Sequence, residues 1–307
     1  MKIDLHLNLE TFPTSKSSDT VIYASVSEMT SFLVENNITH AIILYPRDGY
    51  TYLSQVAKHS PTTQIWGLQV LMGVDKDSPT NLKSLTLDAG DPFKPLCKGI
   101  KIASHRGWWD KDGVVDSGFD YGSQSRALNK ILNQLPDDSI VSMHLQGDPI
   151  FNSASIPQTV ATYAYKYPHL KFIMNHCGDY GQGGLSNKPS KYLTVDKQGN
   201  DNLFPAFRYA HHHALIQAAI TYANLSHNIY LDSSVLTPTK LELLESCDRW
   251  GLGSDYPFQK KSDLFIKEEK KAVSKLGATR IEKMYKDTLH WLTTPCATLL
   301  QEKIDTW

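Results

Sequence analysis

Residues 3–8 read Ile3-Asp4-Leu5-His6-Leu7-Asn8. Apolar and polar side chains alternate with a period of two, the pattern of a strand, so Asp4, His6 and Asn8 share one side of it. Seven more short runs have the same apolar character: Ala41–Tyr45, Ile65–Met72, Gly99–Ala103, Ile140–Leu145, Phe172–Asn175, Ile229–Asp232 and Gly251–Gly253. Several are apolar without a break, as strands covered on both faces are. Helical patterns lie between them. Ser25 and Glu28 form a capping box ahead of Met29. Ser125–Leu135 carries Leu128, Ile131, Leu132 and Leu135 at helical spacing and stops at Pro136. Thr237-Pro238 is a cap followed by a first-turn proline. Two C-terminal helices are expected near Asp263–Leu276 and Arg280–Leu292. Eight alternations of strand and helix predict a parallel sheet closed into a (β/α)8 TIM barrel. A doubly wound open sheet is the alternative, but the phosphate-binding loops that often mark one, GxGxxG and GxxxxGK[ST], do not occur. No Pro/Gly/Ser-rich linker divides the chain, so residues 1–307 are read as one domain.

Composition narrows the partners. Apolar residues make up 41 % of the 307, enough for a large core, and the formal net charge is −1. That balance gives no electrostatic case for nucleic acid or an anionic membrane as partner. No apolar run reaches the length of a spanning helix or a signal peptide, so a soluble cytoplasmic protein is expected. Cys97, Cys177, Cys247 and Cys296 lie far apart without a CxxC pair. That spacing excludes a zinc ribbon and suits buried free thiols. A small molecule is the expected substrate; the oligomeric state is open, a homo-oligomer included.

The polar residues at the strand ends carry the functional argument. Strand five ends Ser142-Met143-His144. Strand six ends Met174-Asn175-His176-Cys177-Gly178, and the last strand ends Gly253-Ser254-Asp255-Tyr256-Pro257. With His6 on the first strand, three imidazoles and a carboxylate converge on one mouth of a barrel. That donor chemistry suits Zn²⁺ or Mn²⁺. Two long loops, His105 to Tyr121 and Gly178 to about Phe204, fall after strands four and six, on the face where such barrels build pockets. Arg106 in the first could clamp a carboxylate, and Trp108 and Trp109 could wall an apolar pocket. The run His211–His213 sits in a helical stretch, so at most one or two of the three can face a site.

Taken in order, His6-x-Asn8, Gly99-Ile-Lys101, His144, Asn175-His176-Cys-Gly and Gly253-Ser-Asp255-Tyr-Pro257 resemble the amidohydrolase superfamily. The Gly-Ser-Asp-Tyr-Pro ending is similar to its amidohydrolase-related branch, which includes aminocarboxymuconate-semialdehyde decarboxylase and lactone hydrolases. The resemblance implies one metal ion held by His6, His144 and Asp255. It implies Asp255 and His176 as the catalytic pair, and Asn8, Lys101, Arg106 and Trp108 as substrate-binding residues. Asn8 departs from the family, which has a second histidine there. A neutral amide is a weaker ligand than imidazole, so a metal-free enzyme, or a barrel that binds ligand without turnover, is the rival expectation. Lys101 stands where dinuclear members carry a carboxylated, bridging lysine; in a mononuclear site it would instead pair with Asp4 or another carboxylate. The expected reaction is hydrolysis of a C–N or C–O bond in a small carboxylate-bearing molecule. Non-oxidative decarboxylation of an unsaturated or aromatic acid is the alternative on the same residues.

Overall fold

A computed structural model describes residues 1–11, 22–45, 49–71, 97–103, 128–144, 156–178, 203–234, 236–256 and 262–306. Eight strands form one sheet in chain order: β1 (Ile3–Asn8), β2 (His40–Tyr45), β3 (Gln64–Leu71), β4 (Cys97–Ala103), β5 (Ile140–His144), β6 (Lys171–Met174), β7 (Ile229–Asp232) and β8 (Trp250–Gly251). Every neighbouring pair with a ladder is parallel. The sheet closes on itself. Leu5 N donates to Leu252 O at 2.9 Å, Asp255 N to His6 O at 2.8 Å and Asn8 N to Tyr256 O at 2.7 Å. The predicted strands are therefore all present, and the fold is a (β/α)8 barrel. The last one is shorter than expected as a ladder, but 252–256 continues along β1 through these bonds.

Parallel strands need crossover connections on the outside, and the amphipathic stretches supply them. Helix α1 (Val26–Glu35) starts at the expected capping box, with Ser25 and Glu28 bonding each other's backbone N–H, and buries Met29, Phe32 and Leu33. Around the barrel follow α2 (Tyr50–His59), α3 (Ile156–Lys166), α4 (Leu203–Leu225) and the single turn α5 (Pro238–Leu241), opened by Thr237. The C-terminal pair is α6 (Leu264–Leu276) and α7 (Ala278–Thr293). A further helix, α8 (Cys296–Ile304), was not expected from the sequence. Strand residues such as Ile42, Ile43 and Leu44 are buried on both faces, against helices outside and barrel neighbours inside. Helix α7 is fastened by buried contacts: Trp291 stacks on Tyr230 with centroids 4.8 Å apart, and Lys171 Nζ caps the Leu292 carbonyl at 2.9 Å. None of the four cysteines is in a disulfide, and Cys177, Cys247 and Cys296 are buried. Among the described residues no helix is long and apolar enough to cross a membrane.

Candidate active site

Alternation along β1 does what the sequence pattern predicts. The Ile and Leu side chains enter the core, while Asp4, His6 and Asn8 point into the barrel, all three buried. Asp4 Oδ1 accepts the backbone N–H of His6 and of Ser254, each at 3.0 Å, so one carboxylate ties β1 to the return of the last strand. Burial pushes the Asp4 carboxyl up to about 7, against hydrogen bonding from the Ser254 side chain and from those two N–H groups, and among the described residues its Oδ2 has no partner.

Above Asp4, His6 is the hub. Its Nδ1 lies 2.7 Å from Asp232 Oδ2, and its Nε2 lies 2.8 Å from Lys101 Nζ and 3.3 Å from Asp255 Oδ1. Asp232 also accepts from Ser234 Oγ at 2.7 Å, Ser234 N at 2.9 Å and His176 N at 3.4 Å. Burial pushes its carboxyl up, but the hydrogen bonds it accepts from His6 and Ser234, with the imidazoles of His6 and His176 beside it, outweigh that and hold it well below the usual carboxylate range. Burial lowers both His6 and His176, so both rings are held neutral. An ionised Asp232 beside a neutral His6 sets the tautomer: Nδ1–H donates to Asp232, and Nε2 accepts from Lys101. Burial depresses Lys101 to about 8, although Asp255 and Asp232 favour its charge. Its carboxylate neighbours are thus Asp255 and Asp232 rather than Asp4, and the atom that it touches is an imidazole nitrogen.

Strand ends aim the remaining groups. After β6 the chain turns through His176 and Cys177, both at φ +52°, and Asp255 stands at φ +56°. This left-handed region costs a non-glycine residue of order 1 kcal/mol, and such positions cluster where a side chain must be aimed. Here the turn stacks the His176 ring on His6 with centroids 5.2 Å apart, and His144 meets it edge-on at 4.7 Å. Asn8 Nδ2 donates to Asp255 Oδ1 at 2.9 Å. Burial raises the Asp255 carboxyl, opposed by His176 and Lys101. Gly253 is required by space: a Cβ there would lie 2.2 Å from Asp232 Oδ1 and 2.9 Å from His6 Cβ.

His6, His144, His176 and Asp255 therefore meet at one mouth, with Asn8 and Lys101 among them. Arg106 and Trp108 lie outside the described residues. Two contributors, Asp232 and Ser234, were not singled out from the sequence, and Asn175 was quoted in its motif without a role; its Oδ1 accepts from Ser142 Oγ at 2.6 Å while its amide lies against His6. The signal for Asp232 was present, since it is the polar residue ending an apolar run, as His144 is.

The donor set fits a metal ion. His6, His176 and Asp232 each offer a ligand atom, all within 4.8 Å of one another. Two neutral imidazoles and an ionised carboxylate are the donor types that ligands need, and a metal bound at His6 Nδ1 would displace the proton that this nitrogen gives to Asp232. The grouping shares His6 with the expected set of His6, His144 and Asp255.

The sequence matches no family model and no curated protein. Solved structures do resemble the fold. An amidohydrolase from Burkholderia multivorans with bound HEPES aligns at TM-score 0.59 and 13 % identity, covering 96 % of this chain and 100 % of that one. A probable 2-pyrone-4,6-dicarboxylic acid hydrolase from Acinetobacter baumannii with bound citric acid aligns at 0.54 and 13 %, covering 95 % and 99 %. The chain therefore shares its fold with these two structures.

Proposed function

We propose that this protein is an enzyme of the amidohydrolase-related branch that hydrolyses a C–O or C–N bond in a small carboxylate-bearing molecule. The observation that carries the reading is the contrast between two carboxylates beside one imidazole. Asp232 is fully buried, ionised and saturated by four donors. Asp255, 3.3 Å from the same His6, has a raised pKa and 14 % of its side chain exposed. Two carboxyl groups pushed apart in this way divide the work: one stays a fixed anion and the other exchanges a proton. Asp255 takes the proton of the attacking water and returns it to the leaving group.

His176 stands beside it, its Nδ1–H held by Ser234 Oγ at 2.8 Å, which leaves Nε2 as the acceptor that shares the proton transfer. A divalent ion held by His6, His176 and Asp232 would add Lewis-acid polarisation of the substrate carbonyl. Zn²⁺ or Mn²⁺ suits that donor set. The acidic substrate class follows one of the two solved structures, which is named for a dicarboxylic acid and holds citric acid; Arg106 is the proposed partner of such a carboxylate. The small molecule is the proposed partner, with no role for nucleic acid or membrane, in the cytoplasm.

A panel of small lactones, amides and unsaturated acids bearing a carboxylate, with product analysis, tests the reading. Hydrolysis of one of them should fall by about 10²–10⁴-fold in Asp255→Asn, the scale of a lost general base. Release of CO₂ would assign the decarboxylase reaction instead. Turnover that survives Asp255→Asn would remove the aspartate from the mechanism.

A further inference from the structure

Ser234 touches His6, His176 and Asp232 with one atom. Its Oγ lies 2.7 Å from Asp232 Oδ2, 2.8 Å from His176 Nδ1 and 3.2 Å from His6 Nδ1. The end of β7 places it there. Ser234 N donates to Asp232 Oδ1 at 2.9 Å, so the chain curls around its own carboxylate and brings the hydroxyl onto the other oxygen. Ser234 and Asp232 are fully buried, and His176 is nearly so. The hydrogens can be assigned. His176 Nδ1 is also 3.2 Å from the Ser234 carbonyl, which can only accept, so Nδ1 carries the hydrogen. The hydroxyl therefore accepts from His176 and gives its one proton to the ionised Asp232. Its second lone pair faces the Nδ1–H of His6, whose main acceptor is Asp232 at 2.7 Å. The lone pair of His176 is left at Nε2, on the far side of the ring.

We propose that Ser234 is a positioning residue that links His176 to the buried anion Asp232. The hydroxyl holds the His176 ring with Nδ1–H inward and Nε2 free to share the proton transfer. It carries the pull of Asp232 to that ring, whereas His6 meets Asp232 directly. Serine thus stands between imidazole and carboxylate, where the triads of acyl transfer join the two without a bridge. The inference deepens the reading above and rests on His176 sharing the proton transfer. Its test needs no substrate.

The test is a long-range ¹H–¹⁵N spectrum of the histidines in ¹⁵N-histidine-labelled protein, treated with chelator so that no ion competes for these nitrogens. Wild type, Ser234→Ala, Asp232→Asn and the double variant are compared at one pH. In wild type both His6 and His176 should show Nδ1–H. Ser234→Ala should lower the Nδ1–H to Nε2–H ratio of His176 by about fivefold, the scale of one hydrogen bond, and leave that of His6 within about twofold. Asp232→Asn should lower both. On the Ser234→Ala background it should lower only that of His6, because the route to His176 is already cut.

Nε2–H on His176 in wild type overturns the proposal. So does an unchanged His176 ratio in Ser234→Ala, or an effect of Asp232→Asn on His176 that is as large without the hydroxyl as with it. Should a Ser234→Ala protein lose its cooperative melt, Ser234→Cys, near in shape but a much weaker donor and acceptor, takes its place in the same comparison. Failure here would leave the Asp255 proton-transfer reading standing, and absence of hydrolysis would leave the Ser234 assignment standing.

Discussion

Asp4 offers the most direct thermodynamic test of this barrel. Its carboxyl is fully buried, its Oδ1 serves the N–H groups of His6 and Ser254, and among the described residues its Oδ2 has no partner. Burial lifts it from 3.8 to about 7. The sign follows from proton counting. Below the unfolded value both states hold the proton, and Asp4 costs nothing. Between 3.8 and about 7 the native state keeps a proton that the unfolded state has lost, so stability falls as pH rises; above 7 the full cost is present. Three pH units correspond to about 4 kcal/mol at most, of which about 2–3 kcal/mol develops between pH 5 and pH 8. Asp4→Asn keeps the Oδ1 acceptor and cannot ionise, so this part of the pH dependence should vanish. Urea unfolding of both proteins at pH 5, 6, 7 and 8 measures it. The wild type should lose about 2–3 kcal/mol relative to the variant across that range. Parallel curves would show that Asp4 is not held protonated, and that a polar group or water meets its second oxygen. Activity should stay within a few-fold, since Asp4 acts on backbone beneath the site.

Two further outcomes follow from the packing around His6. Gly253→Ala would put a methyl about 1.2 Å inside an ordinary contact with Asp232 Oδ1; displacement of that carboxylate by about 1 Å should cost on the order of 10²-fold in turnover and about 1–3 kcal/mol of stability, read from initial rates and urea midpoints, and a variant matching wild type in both would show that this contact does not set the site. Asp232→Asn removes the anion that His6, Ser234 and His176 all address, so stability should fall by about 1.5–3 kcal/mol, the scale of a hydrogen bond to a charged group, and the His6 tautomer signal should change; unchanged stability and tautomer would mean that the carboxylate is already neutral in the wild type.

Much of this was legible in the chain order. Eight apolar runs and their spacing specify eight covered strands, and the caps at Ser25 and Thr237 mark helix starts, because both signals depend on residues within a few positions of each other. The polar residues closing the strands, His6, His144, His176 and Asp255, could be placed at one mouth for the same reason. What their neighbours would be could not. Asp232 ends an apolar run just as His144 does, yet nothing local says that it lies 2.7 Å from a histidine 226 residues away. Lys101 could be put on its strand, but its partner is decided by barrel closure. Closure brings β1 beside the last strand and sets His6 between Lys101 and Asp232, so that one imidazole is held by a carboxylate on one side and an ammonium on the other. Periodicity determines which face a side chain takes. Which buried charges face each other, and therefore which of them stay ionised, is decided only when the sheet closes and water is excluded between them, since in that setting each charge is stabilised or penalised by the others across the barrel.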